Sequence, residues 1–171
     1  RFCDTEFETF TTWDLSAILT EADKLTKDLS IPLVVITGGE PFRQPIAPLC
    51  AALEERGYKV QIECNGTLYR PLPDAVEVIC SPKHQGNGYL PLRQDLLSRV
   101  TALKFLISAS DPRYNHVAEL GQTAYKIPVY VQPMDEYDEQ KNAENRILAI
   151  SLATQHGYRL SLQLHKLLGI A

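Results

Sequence analysis

Apolar and polar positions alternate along this chain between two periods, one near 3.6 residues and one of short unbroken apolar runs. From Asp14 to Leu29, the residues Leu15, Ile18, Leu19, Ala22, Leu25 and Leu29 fall at helical spacing, with Thr12 or Asp14 as the cap. Leu33-Val34-Val35-Ile36 then predicts a buried strand. Pro45 to Arg56 carries Ile46, Leu49, Cys50 and Leu53 on one helical face, with Pro45 near the first turn and Gly57 as the stop. Val60 to Glu63 is the next strand, followed by Val76 to Cys80, Leu103 to Ile107 and Val129 to Gln132. Weaker helical patterns lie near Leu92 to Arg99 and around Asn115 to Leu120. A longer helix is predicted from Asp138 to His156, stopping at Gly157, and Leu160 to Leu164 is the last strand. Helices alternating with six strands are the mark of an α/β fold built on parallel strands with helical crossovers. The loop from Pro82 to Pro91, with Gly86 and Gly88, is the expected mobile stretch, and no internal repeat interrupts the pattern.

Composition narrows the functional classes. A chain of 171 residues, 44% hydrophobic, can bury one good core, so residues 1–171 are expected to form a single domain. A formal charge of -4 argues against a nucleic-acid or membrane surface as partner, because neutralising phosphates needs clustered Lys and Arg. A small molecule is the expected substrate. No apolar run approaches the roughly 20 residues that cross a bilayer, and no secretory pattern is present, so a cytoplasmic location is expected. Cys3, Cys50, Cys64 and Cys80 sit in a chain with enough core to need no disulfide, which leaves reduced thiols or metal ligands. The chain opens Arg1-Phe2-Cys3-Asp4-Thr5, in what reads as the middle of a motif, so an N-terminal segment is expected to be missing.

The polar residues that follow the strands carry the chemistry. Ile36 runs into Thr37-Gly38-Gly39-Glu40-Pro41, Ile62 into Glu63-Cys64-Asn65-Gly66-Thr67, and Cys80 into Ser81-Pro82-Lys83-His84. Val131 runs into Gln132-Pro133-Met134-Asp135, and Leu164 into His165-Lys166. In parallel α/β folds the strand carboxyl ends form one face, which is where catalysis is placed. Each motif alone has a bland reading: Gly38-Gly39 as a tight turn, Asn65-Gly66 as a turn dipeptide, His165 as a satisfied core group. Together they predict an active site, because loops need polar residues but not Glu, Lys and His at successive strand ends. A metal site of Cys64, Cys80 and His84 is a rival constellation, although it lacks a close Cys-x2-Cys pair.

Thr37-Gly38-Gly39-Glu40-Pro41 after a strand resembles the GGEP motif of radical S-adenosylmethionine (SAM) enzymes. Glycines admit a ligand close to the backbone, a Glu complements an ammonium, and an acidic loop repels the phosphate of a rival phosphate-binding turn. Arg1-Phe2-Cys3-Asp4-Thr5 resembles the end of the Cys-x3-Cys-x2-Cys motif of the same enzymes, with Cys3 as third ligand of a 4Fe-4S cluster and two cysteines upstream. With Glu-Cys-Asn-Gly-Thr, Ser-Pro-Lys, Gln-Pro-Met-Asp and a terminal Leu-His-Lys-x-Leu-Gly-Ile, the chain is similar over nearly its whole length to the 7-carboxy-7-deazaguanine synthases of queuosine biosynthesis.

That resemblance implies a partial (β/α) barrel of radical SAM type with about six mostly parallel strands. It also implies contraction of 6-carboxy-5,6,7,8-tetrahydropterin to 7-carboxy-7-deazaguanine with loss of ammonia, a carbon-nitrogen lyase reaction. Phe2, Cys3 and Asp4 would lie against cluster and SAM, Gly39 and Glu40 against the methionine end of SAM, and Ser81, Pro82 and Lys83 against SAM from a later strand. Gln132 is a further SAM candidate, or satisfies backbone groups instead. Thr5 would ligate Mg2+, a hard ion suited to the substrate carboxylate. Thr37, Glu63, Asn65 and His165 are candidates for the substrate, and the family's C-terminal residue, here Ala171, would reach it too. A homodimer and an electron donor such as flavodoxin or ferredoxin are implied partners. Glycyl-radical activating enzymes, which share the cluster and the GGEP loop, and a cluster-free α/β barrel enzyme or binding module are the alternatives.

Overall fold

The computed structural model describes residues 10–30 and 32–169. Phe2, Cys3, Asp4, Thr5 and Ala171 therefore lie outside the described residues. The described chain divides into two compact units, residues 10–64 with 68–78 and residues 65–67 with 79–169.

In the first unit, helix α1 (Leu15–Leu25) starts where Asp14 Oδ1 accepts the Ala17 N–H at 2.7 Å, which selects Asp14 over Thr12 as the cap. It ends at Thr26, whose hydroxyl bonds the Ala22 carbonyl at 2.7 Å and meets the Tyr58 hydroxyl at 2.8 Å. Leu29, expected on the helix, lies beyond it and is exposed, because the Thr26 hydroxyl takes a carbonyl of the last turn. Strand β1 (Leu33–Ile36) pairs in parallel with β2 (Lys59–Cys64), from Leu33 opposite Lys59 to Ile36 opposite Ile62. Between them run a 3-10 turn (Pro41–Arg43) and helix α2 (Ala47–Glu55).

Ile46, Cys50 and Leu53 form the buried stripe of α2, against Val60 and Ile62 in the same core. Burial pushes the Cys50 thiol up to about 11, with the Glu54 charge adding to the effect. The expectation of a buried β1 is corrected. Leu33 and Val35 are 51% and 43% exposed: among the described residues β1 ends the sheet, and these two side chains share a face that the described chain leaves uncovered.

Strand β3 (Glu77–Cys80) passes from the first unit into the second, where Ile79 and Cys80 pair in parallel with β6 (Ala102–Ile107). A hairpin of β4 (His84–Gln85) and β5 (Gly88–Tyr89) occupies the 82–91 loop that the sequence marked as mobile. It carries His84 and Tyr89 into edge-on ring contacts at 5.2 Å, and Tyr89 into another with Phe105 at 5.7 Å. Helix α3 (Gln94–Leu97) is one turn long, shorter than the expected 92–99. The helix expected around Asn115 to Leu120 is absent; bends and irregular backbone occupy it, and one helical turn, α4 (Gln122–Tyr125), follows instead. The Gln122 side chain explains this shift, since Oε1 accepts the Leu120 N–H and Nε2 donates to the Ala118 carbonyl, binding that backbone in a turn.

Strand β7 (Val129–Pro133) pairs in parallel with β6 and then with β8 (Arg159–Leu160). Helix α5 (Glu139–His156) is capped by Asp138, whose Oδ1 accepts the Lys141 N–H at 3.0 Å, and stops at Gly157 with φ +69°. The last expected strand is corrected as well: β8 covers only 159–160, and Leu164 to Leu168 form helix α6. Leu164, Leu167 and Leu168 follow a helical spacing that a period-2 reading of 160–164 overlooks. Among the described residues the main sheet has six strands in the order β1-β2-β3-β6-β7-β8, an α/β architecture with parallel pairing at β1/β2, β3/β6, β6/β7 and β7/β8.

Candidate active site

In the first unit, β1 and β2 run parallel and in register, so the residues that leave their carboxyl ends share one edge. Thr37, Gly38 and Gly39 are exposed there, beside Glu63 on β2, which is half-buried on the face opposite Val60, Ile62 and Cys64. Gly38 has φ +124°, a backbone conformation that disfavours any side chain, and among the described residues no atom beyond its chain neighbours lies within 4 Å of where its Cβ would stand. At Gly38 the main chain is thus accessible among the described residues. Glu40 differs: it is 8% exposed, and its Oε1 accepts the Phe42 N–H at 3.2 Å, capping the 3-10 turn. Phe42 is itself buried against Tyr69 at 5.5 Å, and its carbonyl accepts Arg70 Nε at 2.9 Å. A carboxylate is therefore anchored beside a glycine pair, an arrangement suited to an ammonium-bearing ligand.

In the second unit, Asn65 Oδ1 accepts both the Thr67 N–H at 2.9 Å and the Thr67 hydroxyl at 2.7 Å. This Asx-turn is the local role of a residue assigned to the substrate on sequence grounds. Gly66, at φ +83°, leaves no room: a Cβ there would stand 2.4 Å from Leu92 Cδ2 and 2.7 Å from Cys80 Sγ. At the end of β3, Lys83 Nζ donates to Ser81 Oγ at 3.1 Å, so the Ser-Pro-Lys segment presents a hydroxyl and an ammonium together, with Pro82 buried between them. On β7, Gln132 Oε1 accepts the Ser161 hydroxyl at 3.3 Å. The parallel registers of β3, β6 and β7 put Ser81, Lys83 and Gln132 at the same edge of this unit. His165 is not at a strand end; it is exposed on α6.

Three neighbours of these residues were not singled out from sequence. Asp135 accepts the Tyr137 N–H at 3.0 Å, Asn142 Nδ2 at 2.8 Å and Lys166 Nζ at 3.0 Å. The Tyr137 amide, then Lys166 and Asn142, hold its carboxyl below the usual carboxylate range. Asp135, Asn142 and Lys166, with Arg146 and Gln163, line a cavity of about 340 Å³. Asp135 and Lys166 fall inside the Gln-Pro-Met-Asp and His-Lys motifs, so the sequence carries a signal for them; Asn142 has none beyond its place on a helix. Among the described residues no group of three or more His, Cys, Asp or Glu is arranged to hold a metal, the Cys64, Cys80 and His84 combination included. Cys50, Cys64 and Cys80 are buried and form no disulfide among the described residues.

No family model matches the chain. It is 52% identical to the 7-carboxy-7-deazaguanine synthase of Rickettsia prowazekii, across 99% of this chain and 74% of that protein. It is 36% identical to that of Rhodospirillum rubrum, across 99% of this chain and 78% of the other. A crystal structure of QueE from Escherichia coli matches the fold with a TM-score of 0.64 at 22% identity, over 88% of this chain and 64% of that one. An open glycine loop with a buried Glu, a Ser-Lys pair at a later strand end, and these relatives over almost every residue place the chain in the 7-carboxy-7-deazaguanine synthase family, radical SAM enzymes of the queuosine pathway.

Proposed function

We propose that this protein contracts the ring of 6-carboxy-5,6,7,8-tetrahydropterin to 7-carboxy-7-deazaguanine with loss of ammonia, using a 4Fe-4S cluster, SAM and Mg2+. The single observation that carries the reading is the Gly38-Gly39-Glu40 loop, in which Gly38 takes a left-handed backbone with space around it among the described residues and Glu40 is a buried carboxylate anchored on the Phe42 N–H. When bound, cluster and SAM supply the radical that takes a hydrogen from the pterin. In this reading Gly39 and Glu40 receive the methionine end of SAM, the carboxylate complementing its ammonium. Ser81, Pro82 and Lys83 offer a hydroxyl and a cation to its carboxylate and ribose, and Gln132 an amide. Thr37, Glu63, Asn65 and His165 supply donors and acceptors to the pterin edge, with Ala171 reaching it from the end of the chain. Phe2, Cys3 and Asp4 border the cluster, with Cys3 as a ligand, and Thr5 takes part in holding Mg2+. The whole assembles as one radical SAM domain, working as a cytoplasmic homodimer fed by flavodoxin or ferredoxin.

The test is anaerobic reconstitution of the full-length protein with iron and sulfide, followed by incubation with SAM, reductant, Mg2+ and the pterin. Bound iron, and 5'-deoxyadenosine released together with the deazaguanine acid, are the expected results. A colourless protein would defeat the radical reading, and 5'-deoxyadenosine formed only with a partner protein would transfer the chain to the activating enzymes.

A further inference from the structure

Asn145 is the one polar residue of α5 that is wholly buried, at 0% exposure, in a helix whose other charged and amide side chains face outward or sit half-buried. Asn is a poor helix former and a buried amide is unfavourable unless every group on it is bonded. Here each is. Oδ1 accepts the Ala109 N–H at 2.7 Å; Nδ2 donates to the Met134 carbonyl at 3.0 Å and to Glu136 Oε1 at 3.1 Å. Ala109 lies two residues beyond β6 and Met134 one residue beyond β7, so a single side chain joins the two segments that leave these neighbouring strands.

The joint is reinforced on both sides. The Met134 N–H donates to the Ile107 carbonyl at 2.8 Å, and Glu136 Oε1 also accepts the Ser108 hydroxyl at 2.7 Å. Ser108 is itself 1% exposed. The Ser108 hydroxyl, then the Asn145 amide, hold the Glu136 carboxyl below its ordinary range, with Lys141 3.7 Å away. This demands both a donor and an acceptor at position 145, at fixed positions, which an apolar residue or an Asp cannot supply. A helix whose only task was to cover the sheet would be served as well by Leu or Ala at this position, as it is by Ala149 one turn on.

We infer that Asn145 is a positioning residue: it touches no ligand itself, and sets where Gln132 and the Pro133-Met134-Asp135 segment stand against SAM. The inference rests on the assignment of this strand end to SAM made above. Losing it lets the end of β7 shift relative to β6, and a displacement of about 1 Å remote from the chemistry costs up to about 100-fold in function.

The experiment compares the reconstituted wild-type protein with Asn145→Ala and with Asn145→Asp, alone and combined with Glu136→Gln. SAM affinity is read by equilibrium dialysis, KM for the pterin by steady-state kinetics, and the Ala109 amide by hydrogen exchange. Asn145→Ala is expected to weaken SAM binding about tenfold, leave the pterin KM within about twofold, and speed exchange at Ala109. Asn145→Asp places a carboxylate against Glu136 and the Met134 carbonyl; adding Glu136→Gln returns one donor to that contact and is expected to recover part of the lost SAM affinity. Should Asn145→Ala not fold, the Asp variant and its partner decide. Unchanged SAM affinity with faster exchange, an equal fall in SAM and pterin binding, or no recovery in the double variant would overturn the inference. A wild-type protein that binds SAM but makes no deazaguanine acid sinks the functional reading instead, while a SAM shift in the variants would still uphold the role of Asn145.

Discussion

The loop after β1 and the segments after β6 and β7 both leave the carboxyl ends of parallel strands, yet they are built in opposite ways. Around Gly38 the main chain is open, with no atom near the missing side chain, and β1 itself exposes Leu33 and Val35. After β6 and β7, by contrast, Ser108, Glu136, Asn142 and Asn145 bond one another and the backbone, with two of the four wholly buried. An open backbone lets a ligand come within hydrogen-bonding reach of the chain; a bonded network keeps neighbouring groups in fixed positions when that ligand arrives. Glu40 sits between the two, since one oxygen caps a turn while the residue follows the Gly38-Gly39 pair.

Two glycine substitutions test the contrast most strongly. Gly66→Ala forces a methyl into Leu92 and Cys80 at a left-handed backbone position, and is expected to lower stability by about 2–4 kcal/mol, read by urea unfolding. Gly38→Ala meets no neighbour, so only its backbone strain counts, about 1–2 kcal/mol, while SAM binding falls further than stability does. Equal losses of stability in the two variants would erase the distinction between an open and a packed glycine.

Glu40→Gln sharpens the comparison from the side of charge. The amide oxygen can still accept the Phe42 N–H, so stability is expected to hold within about 0.5 kcal/mol. SAM affinity should drop about tenfold, because the ammonium loses its counter-charge. Glu40→Ala loses the cap as well and is expected to unfold about 1 kcal/mol more easily; equal SAM binding in the wild type and Glu40→Gln would show that Glu40 serves the turn alone.

The smallest expected effect is one of pH. Asp135 and Glu136 are held below their ordinary values of 3.8 and 4.5 by hydrogen bonds, chiefly from the Tyr137 amide and the Ser108 hydroxyl respectively. Their folded carboxyls release the proton more readily than in the unfolded chain. They therefore stabilise the fold above about 4.5, and that contribution is lost as pH falls through the lowered values. Acid unfolding of Glu136→Gln should show a shallower dependence below about 4.5 than the wild type. Superposable curves would mean that Glu136 contributes nothing to the bonded end.

Much of this was legible in the order of residues. The stripe at Ile46, Cys50 and Leu53, the Asp138 and Gly157 boundaries of α5 and the strands around Val60, Leu103 and Val131 follow from periodicity and caps, which are local properties of the chain. The Gly38-Gly39-Glu40 and Ser81-Pro82-Lys83 segments stood out for the same reason: they are contiguous. Where local pattern failed, the cause was a group outside the segment being read. Leu33 and Val35 read as buried because four apolar residues carry no information about what the described chain packs on each face of a strand. The stretch 115–120 read as helix because its pattern does not reveal that Gln122 binds its backbone from outside.

By itself the sequence determined the family, the α/β alternation and the residue types offered at each strand end, since these depend on motifs and on spacing within one segment. Only the tertiary structure decided which of those residues are committed to the fold. Asn65 is engaged in a turn, Glu40 is half cap and half charge, and Asn145, an unremarked polar letter in a helix, is the tie between two strand ends. A hydrogen-bond partner 11 or 36 residues away leaves no trace in local periodicity, because the bond depends on where the chain returns and not on what surrounds the residue along it.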